Sequence, residues 1–276
     1  VKAAIRLGVA GLAMLAACGC SDYFTPWTGF QTHTYSGTQI GFPMDAAPFS
    51  VGDSIRETVS GAGANWYSFS ASADTVYALG FFPTFDGTLS IIDSSSGAIV
   101  FSFPDSTNGA YGTAFWTCGR FGTFYLHVRD TSDFGEREAP FGLSLKTFAG
   151  AYGSVIDSFE PDSSKSLANE CQVTPVGNQE SFQFRRLSPG DTDWVYFLPA
   201  PGHTYRLSAV GTLRVRLALL APGTDSTAMV DDSAASTASL RWTNPASLGL
   251  KCYFRITGKS PTASGVYAVS VRDVIH

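Results

Sequence analysis

Charge is scarce in this chain. Only 15% of its 276 residues are Asp, Glu, Lys or Arg, and the formal net charge is −5. An acidic balance of that kind gives no footing on nucleic acid, whose binders present basic patches or stripes. Histidine is scarce too, with four, and the five cysteines fall in no spacing that resembles a zinc site. The sequence has no G-x-S-x-G elbow and no H-E-x-x-H pair. The run Gly258, Lys259, Ser260 has Tyr253 where a phosphate-cradling loop needs a glycine five positions ahead. His33, His127, His203 and His276 each lack a recognisable catalytic partner, and no carboxylate pair stands out for glycoside hydrolysis. The chain therefore reads as non-enzymatic, with no catalytic residue to name. Sustained helical periodicity is also missing after Cys18, apart from a single turn at 166–170.

Apolar material is plentiful by contrast: 44% of residues are hydrophobic and 13% aromatic, enough for packed cores. Lys2 and Arg6 precede an apolar run, Leu7 to Ala17, which is too short to span a bilayer and has the plan of a secretory signal. The run closes on Leu15, Ala16, Ala17, Cys18, which resembles the bacterial lipobox. That resemblance implies a signal peptide over 1–17, acylation of Cys18 and a membrane-anchored tether over 18–28. Gly19 is compatible with the outer membrane of a host that has two. Removing Lys2 and Arg6 moves the net charge from −5 to −7.

The chain also repeats itself. A shift of 128 positions lays Asn65 on Asp193, Trp66 on Trp194, Phe69 on Phe197, Tyr77 on Tyr205 and Leu89 on Leu217 without a gap. Further blocks follow in the same order: 115–117 answers 241–243, and 124–128 answers 252–256. The local pattern is short β-branched and aromatic runs with period two, broken by Gly, Pro, Asp, Ser and Asn. In 204–210, Tyr205, Leu207 and Ala209 face one way and Thr204, Arg206 and Ser208 the other, which predicts one packed face and one wetted face. The fold class that follows is all-β, with two tandem β-sandwiches over 29–148 and 155–276 and a linker over 149–154. Trp66 and Trp194 are expected to anchor the two cores.

The second half opens "DSFEPDSSKSLANE" and continues "LSPGDTDWVYFLPAPGHTYRLSA". With its closing "GVYAVSV", it resembles the bacterial pre-peptidase C-terminal domain, a jelly-roll-like sandwich related to clostridial collagen-binding domains. The first half matches through the repeat, with Asn65 in place of the Asp and no acidic lead-in. The resemblance implies a calcium site at Glu160, Asp162, Asp191 and Asp193, with Asp157 a looser candidate, in the second domain alone. The residues by themselves allow either that site, since calcium takes six to eight oxygens, or a solvated acidic loop with Asp capping a turn.

Three further expectations concern binding and cross-linking. Phe81, Phe82 and Phe85, near Pro83 and Gly87, either stack on a glycan or grip a protein from a sandwich loop, or fill the end of the core. Trp27 is a further aromatic to place. Exported cysteines can pair, and Cys171 with Cys252 lies within one repeat, whereas Cys20 and Cys118 have no such match. Together these readings describe a lipid-anchored envelope protein for ligand binding or adhesion. The alternatives are an accessory subunit of an exported hydrolase or envelope complex, and a hydrolase with an unrecognised site.

Overall fold

Alternation with a period of two sets the architecture. The computed structural model describes residues 46–60, 64–103, 112–131, 138–176, 178, 180–231, 237–245 and 250–275. The signal segment, Cys18, Cys20, Trp27, His33 and His276 lie outside these residues.

The first sandwich is made of β1 (Ala47–Pro48), β2 (Ser54–Ser60), β3 (Ala64–Ala71), β4 (Val76–Pro83), β5 (Gly87–Asp93), β6 (Ile99–Ser102), β7 (Gly112–Thr117), β8 (Gly122–Asp130) and β9 (Glu138–Thr147). Its two sheets run β1-β3-β8-β5-β6 and β2-β9-β4-β7. The second is made of β10 (Asn169–Glu170), β11 (Val173–Thr174), β12 (Gln183–Leu187), β13 (Thr192–Phe197), β14 (Thr204–Gly211), β15 (Val215–Leu220), β16 (Thr227–Asp231), β17 (Thr237–Thr243), β18 (Cys252–Gly258) and β19 (Gly265–Ile275). Its sheets run β10-β13-β18-β15-β16 and β11-β19-β14-β17, with β12 also paired to β19. Strand order is thus shared by both halves, with β12 in the place of β2 and β11 added beside β19 in the second. Register matches too: Trp66 stands opposite His127, and Trp194 opposite Arg255.

Each core is the set of inward residues from both sheets. Tyr67, Phe69, Leu79 and Leu126 close the first, and Val195, Phe197, Leu207 and Ile256 the second. At about 2 kcal/mol for each large apolar side chain taken out of water, these residues supply the main stabilisation of each half. The inward set excludes both repeated tryptophans. Trp66 and Trp194 are half-buried on the outer face, because period two sends them opposite to Tyr67 and Val195. They hold equivalent places but do not anchor the cores.

Two further expectations change. Tyr205, Leu207 and Ala209 do face the core, but Thr204 and Ser208 on the other side of β14 are also buried. That face is covered by the segment before β12, where Glu180 pairs with Arg206 and accepts a 2.6 Å hydrogen bond from Ser270. The segment expected to be a linker folds instead as α1 (Phe148–Tyr152), capped by the Thr147 hydroxyl accepting from the Gly150 N–H. Phe148 is buried there among Val76, Val210, Val266 and Ala268, with Phe115, Tyr152, Phe182 and Phe184 packed around them. The outer faces of β4 and β7 thereby meet those of β12, β14 and β19. The sheets β1-β3-β8-β5-β6 and β10-β13-β18-β15-β16 lie on the sides of their sandwiches away from this junction.

Candidate metal centre

The site begins with a turn. Ser188, Pro189, Gly190 and Asp191 close through a 3.1 Å hydrogen bond from the Asp191 N–H to the Ser188 carbonyl. Gly190 has φ of +78°, the value that position i+2 of a type II turn demands and glycine supplies without strain. The turn delivers Asp191 beside the start of β13, where alternation points Asp193 inward in line with Val195 and Phe197.

The lead-in segment is laid over the same end of the sandwich. Asp157 accepts from the Phe159 N–H at 2.9 Å and from the Arg186 N–H at 2.6 Å, tying the segment to β12. The Trp194 N–H donates to the Asp162 carbonyl at 3.0 Å, tying it to β13. Glu160 accepts from the Asp162 N–H at 3.2 Å. The result is that one oxygen from each of Glu160, Asp191 and Asp193 lies within 4.8 Å of the others.

Asp162 is the fourth residue of the expected set, and it has a different partner. One of its oxygens is bonded to the Arg185 guanidinium, and both residues are buried. Arg185 also donates to Gln183 at 2.9 Å and lies over the Phe159 ring at 4.4 Å. Asp193, which is 0% exposed, accepts from the Tyr267 hydroxyl through one oxygen. The other oxygen of Asp193, the other oxygen of Asp162 and the Arg185 Nε have no hydrogen-bond partner among the described residues. Buried polar atoms are ordinarily satisfied, so unpartnered carboxylate oxygens beside two more carboxylates form an unfinished constellation.

The titration of the two buried acids follows. Burial raises the Asp193 carboxyl to about 8, with Asp162 and Asp191 adding to the shift and the Tyr267 hydrogen bond opposing it. Burial raises Asp162 to about 7, opposed by Arg185 and reinforced by Glu160, Asp157 and Asp191. A divalent cation would relieve both effects, since it needs ionised oxygens and supplies the missing positive charge. The donor set is all oxygen, which suits a hard cation such as calcium over zinc.

The first sandwich has a different arrangement at the same place. Asn65 replaces Asp193, donating to the Thr58 carbonyl at 3.2 Å and to Glu57 at 3.3 Å. The Tyr67 hydroxyl donates to Glu57 at 2.7 Å. Among the described residues, a neutral amide and one exposed carboxylate form no cluster there for a cation.

Two sets of expected site residues are placed elsewhere. Phe81 and Phe85 are core residues, 1% and 9% exposed: 80–83 continues β4 and does not form a loop, and Phe85 packs into the core from the bend 84–86; Phe82, at 39%, is the one of the three that reaches the surface. Cys171 and Cys252 are buried, unbridged thiols. The Cys171 N–H bonds to Tyr196 on one side of β13, while Cys252 pairs with Phe197 from β18 on the other. Two strand spacings, about 10 Å, separate the backbones, beyond the reach of a disulfide. Arg185 and Tyr267 are the site residues that motif reading missed. Arg185 did carry a signal, since alternation with Leu187 puts an arginine on an inward face.

No protein-family model matches the sequence, and no curated protein matches it. Among solved structures, the pre-peptidase C-terminal domain of a collagenase from Bacillus anthracis overlays 38% of this chain and 99% of its own, at 14% identity and a TM-score of 0.31. A periplasmic inhibitor of g-type lysozyme from Aeromonas hydrophila overlays 39% of this chain and 100% of its own, at 14% identity and a TM-score of 0.31. The PBSX exported protein XepA overlays 80% of this chain and 86% of its own, at 13% identity and a TM-score of 0.26. Overlaps at this level carry neither family nor function to the chain, whose all-β fold is read from its own sheets.

Proposed function

We propose that this chain is a non-enzymatic binding module of the bacterial cell envelope, held to a membrane by lipid at Cys18, whose second sandwich is braced by calcium. The observation that carries the reading is the convergence of Glu160, Asp191 and the buried Asp193, one of whose oxygens has no hydrogen-bond partner among the described residues. Glu160 comes from the lead-in segment and the two aspartates from the start of β13, so a cation held by all three joins the segment to the sheet. That is structural work, and it leaves for recognition the outer faces of the two sheets that lie away from the junction. The basic-then-apolar segment ending at Cys18 supports export and anchoring.

The test is thermal unfolding of the chain with calcium and with chelator. At calcium one hundred times its Kd, the second sandwich gains about 2.7 kcal/mol by mass action. The gain disappears in Glu160→Gln with Asp191→Asn, two changes that spare the buried Asp193. Equal melting with calcium and chelator, or a shift retained in that variant, rejects the calcium brace.

A further inference from the structure

The outer face of β10-β13-β18-β15-β16 carries a set of side chains that the metal centre does not use. Val195, Phe197, Phe254, Ile256 and Leu217 point into the core. Their alternates Trp194, Tyr196, Tyr253, Arg255 and Arg216 therefore point out. Register brings these together: Trp194 stands opposite Arg255, Tyr196 opposite Tyr253, and Arg216 opposite Thr257, two residues along β18 from Arg255. The Tyr196 and Tyr253 rings are 5.9 Å apart, and the Lys251 Nζ lies 3.9 Å from the centre of the Tyr196 ring.

The charge on this face opposes the charge of the chain. Arg216 and Lys251 are exposed and Arg255 is half-buried, and neither arginine makes a hydrogen bond or ion pair among the described residues. Of the neighbouring charges, Lys165 is paired with Asp225 and its Nζ lies 4.8 Å from the centre of the Tyr253 ring, and Glu170 accepts from the Tyr196 hydroxyl and the Gln172 amide. Arg216, Arg255 and Lys251 remain as a basic track across a protein of net charge −5. Arg255 and Lys251 are four residues apart on one strand, about 13 Å, which is longer than a single sugar unit or a single small anion.

Rings and guanidinium groups interleaved on a flat face narrow the ligand. An aromatic ring offers its face to the apolar face of a sugar, and a planar guanidinium takes a carboxylate or sulfate through two parallel hydrogen bonds. A neutral glycan leaves the charge of the arginines uncompensated, and a lone anion makes no use of the rings. The first sandwich provides an internal contrast. It keeps Trp66 and Tyr125 at the matching positions and carries Arg129 opposite Thr88, but His127 stands for Arg255 and Thr88 for Arg216, and His127 is stacked on Trp66 at 4.1 Å.

We infer that the outer face of the second sandwich, from Arg216 through Arg255 and Trp194 to Tyr253 and Lys251, binds an acidic polysaccharide. This rests on the reading of the chain as a binding module, and it is independent of the calcium brace.

The experiment measures binding of the full chain to sodium hyaluronate, to neutral dextran and to phosphatidylcholine vesicles containing phosphatidylglycerol. Each is run in calcium and in chelator, and circular dichroism confirms the fold of every variant. Hyaluronate is expected to bind, with affinity falling steeply as salt rises, and dextran is not. Arg216→Ala with Arg255→Ala should weaken hyaluronate binding at least tenfold, as should Trp194→Ala, while His127→Ala leaves it unchanged. Should Trp194→Ala fail to fold, the arginine pair, one exposed and one half-buried, still decides. Absent hyaluronate binding, or binding equal in the double arginine variant, overturns the inference. Arginine-dependent binding to the vesicles without hyaluronate binding overturns it in favour of a membrane surface. A calcium effect on melting with no hyaluronate binding leaves the brace standing and removes this face; the reverse result does the opposite.

Discussion

Arg185 occupies in the second sandwich the place that Glu57 occupies in the first, 128 residues earlier. Arg185 lies opposite Tyr267 on β19, and Glu57 opposite Phe141 on β9. The guanidinium is fully buried against Asp162, whereas Glu57 is exposed and accepts from Tyr67. One position thus carries opposite charges in two copies of one sandwich. The difference follows from what covers it, since the acidic lead-in segment of the second half lies over Arg185 and ties itself to β12 and β13.

Removing one partner of a buried pair strands the other without compensation, which costs about 3–5 kcal/mol, while replacing both with apolar groups is often near neutral. Arg185→Met should therefore destabilise the second sandwich by an amount in that range, and Arg185→Met with Asp162→Leu by distinctly less. Glu57→Gln, at an exposed position, should cost under about 1 kcal/mol. Urea unfolding followed by tryptophan fluorescence reads all three. A double variant as unstable as Arg185→Met alone would show that the pair matters for more than its charge.

The two sandwiches should answer pH in opposite directions when calcium is removed. Asp193 and Asp162 have folded pKa values raised to about 8 and about 7, above the ordinary 3.8. Their contribution is fully present below about pH 4 and is lost as pH rises through 7 to 8. In the first sandwich burial lowers His127 to about 4 from 6.5, and hydrogen bonding from Arg120 holds Asp93 below the usual carboxylate range. Those contributions are present above the unfolded values and are lost as pH falls, for His127 between 6.5 and about 4. Each group changes stability by at most about 1.4 kcal/mol per pH unit. Hydrogen exchange in chelator, corrected for intrinsic rates, should show better protection of β13 and β19 at pH 5 than at pH 8, and the reverse for β3 and β8. Calcium should remove the loss at pH 8. A common response in both halves would contradict these assignments.

Much of the fold was legible because period-two alternation is a local property and the 128-residue repeat is a long one. What failed was whatever depends on the third dimension. In 65–69 both faces carry aromatics, so the inward parity of Trp66 against Tyr67 was open until β8 was in place. Cys171 and Cys252 share a repeat, but nothing local reveals that β13 runs between them. Phe81 sits beside a proline and two glycines, which reads as a turn, yet β9 pairs with that stretch and keeps it in the sheet. Of the site, Glu160, Asp191 and Asp193 were readable through a family pattern of acidic residues. Arg185 carried only the signal of its alternation with Leu187, because an arginine in a strand is ordinarily solvated and its buried partner comes from a segment 23 residues away.

The junction between the sandwiches was the least legible part, since it joins Phe115, Phe148 and the pair Phe182 and Phe184 from three separate segments. Phe115 is its centre: its ring lies 4.8 Å from that of Phe182 and 5.1 Å from that of Phe148, and Tyr152 stacks on Phe184 at 4.2 Å. The Thr117 and Thr237 hydroxyls meet at 2.9 Å across the same boundary. Phe→Ala in a full core costs about 3–5 kcal/mol, so a partly buried Phe115 should cost about 2 to 3 kcal/mol. That loss falls on the coupling between the halves, because Phe115 points away from the first core. Calorimetry should then show one melting transition for the native chain and two for Phe115→Ala, each sandwich unfolding by itself. A single transition displaced to lower temperature would mean that Phe115 supports the first sandwich directly. Separate transitions in the native chain would mean that the aromatic cluster is too weak to couple the sandwiches, and the metal centre and the basic face would then belong to a domain that acts alone.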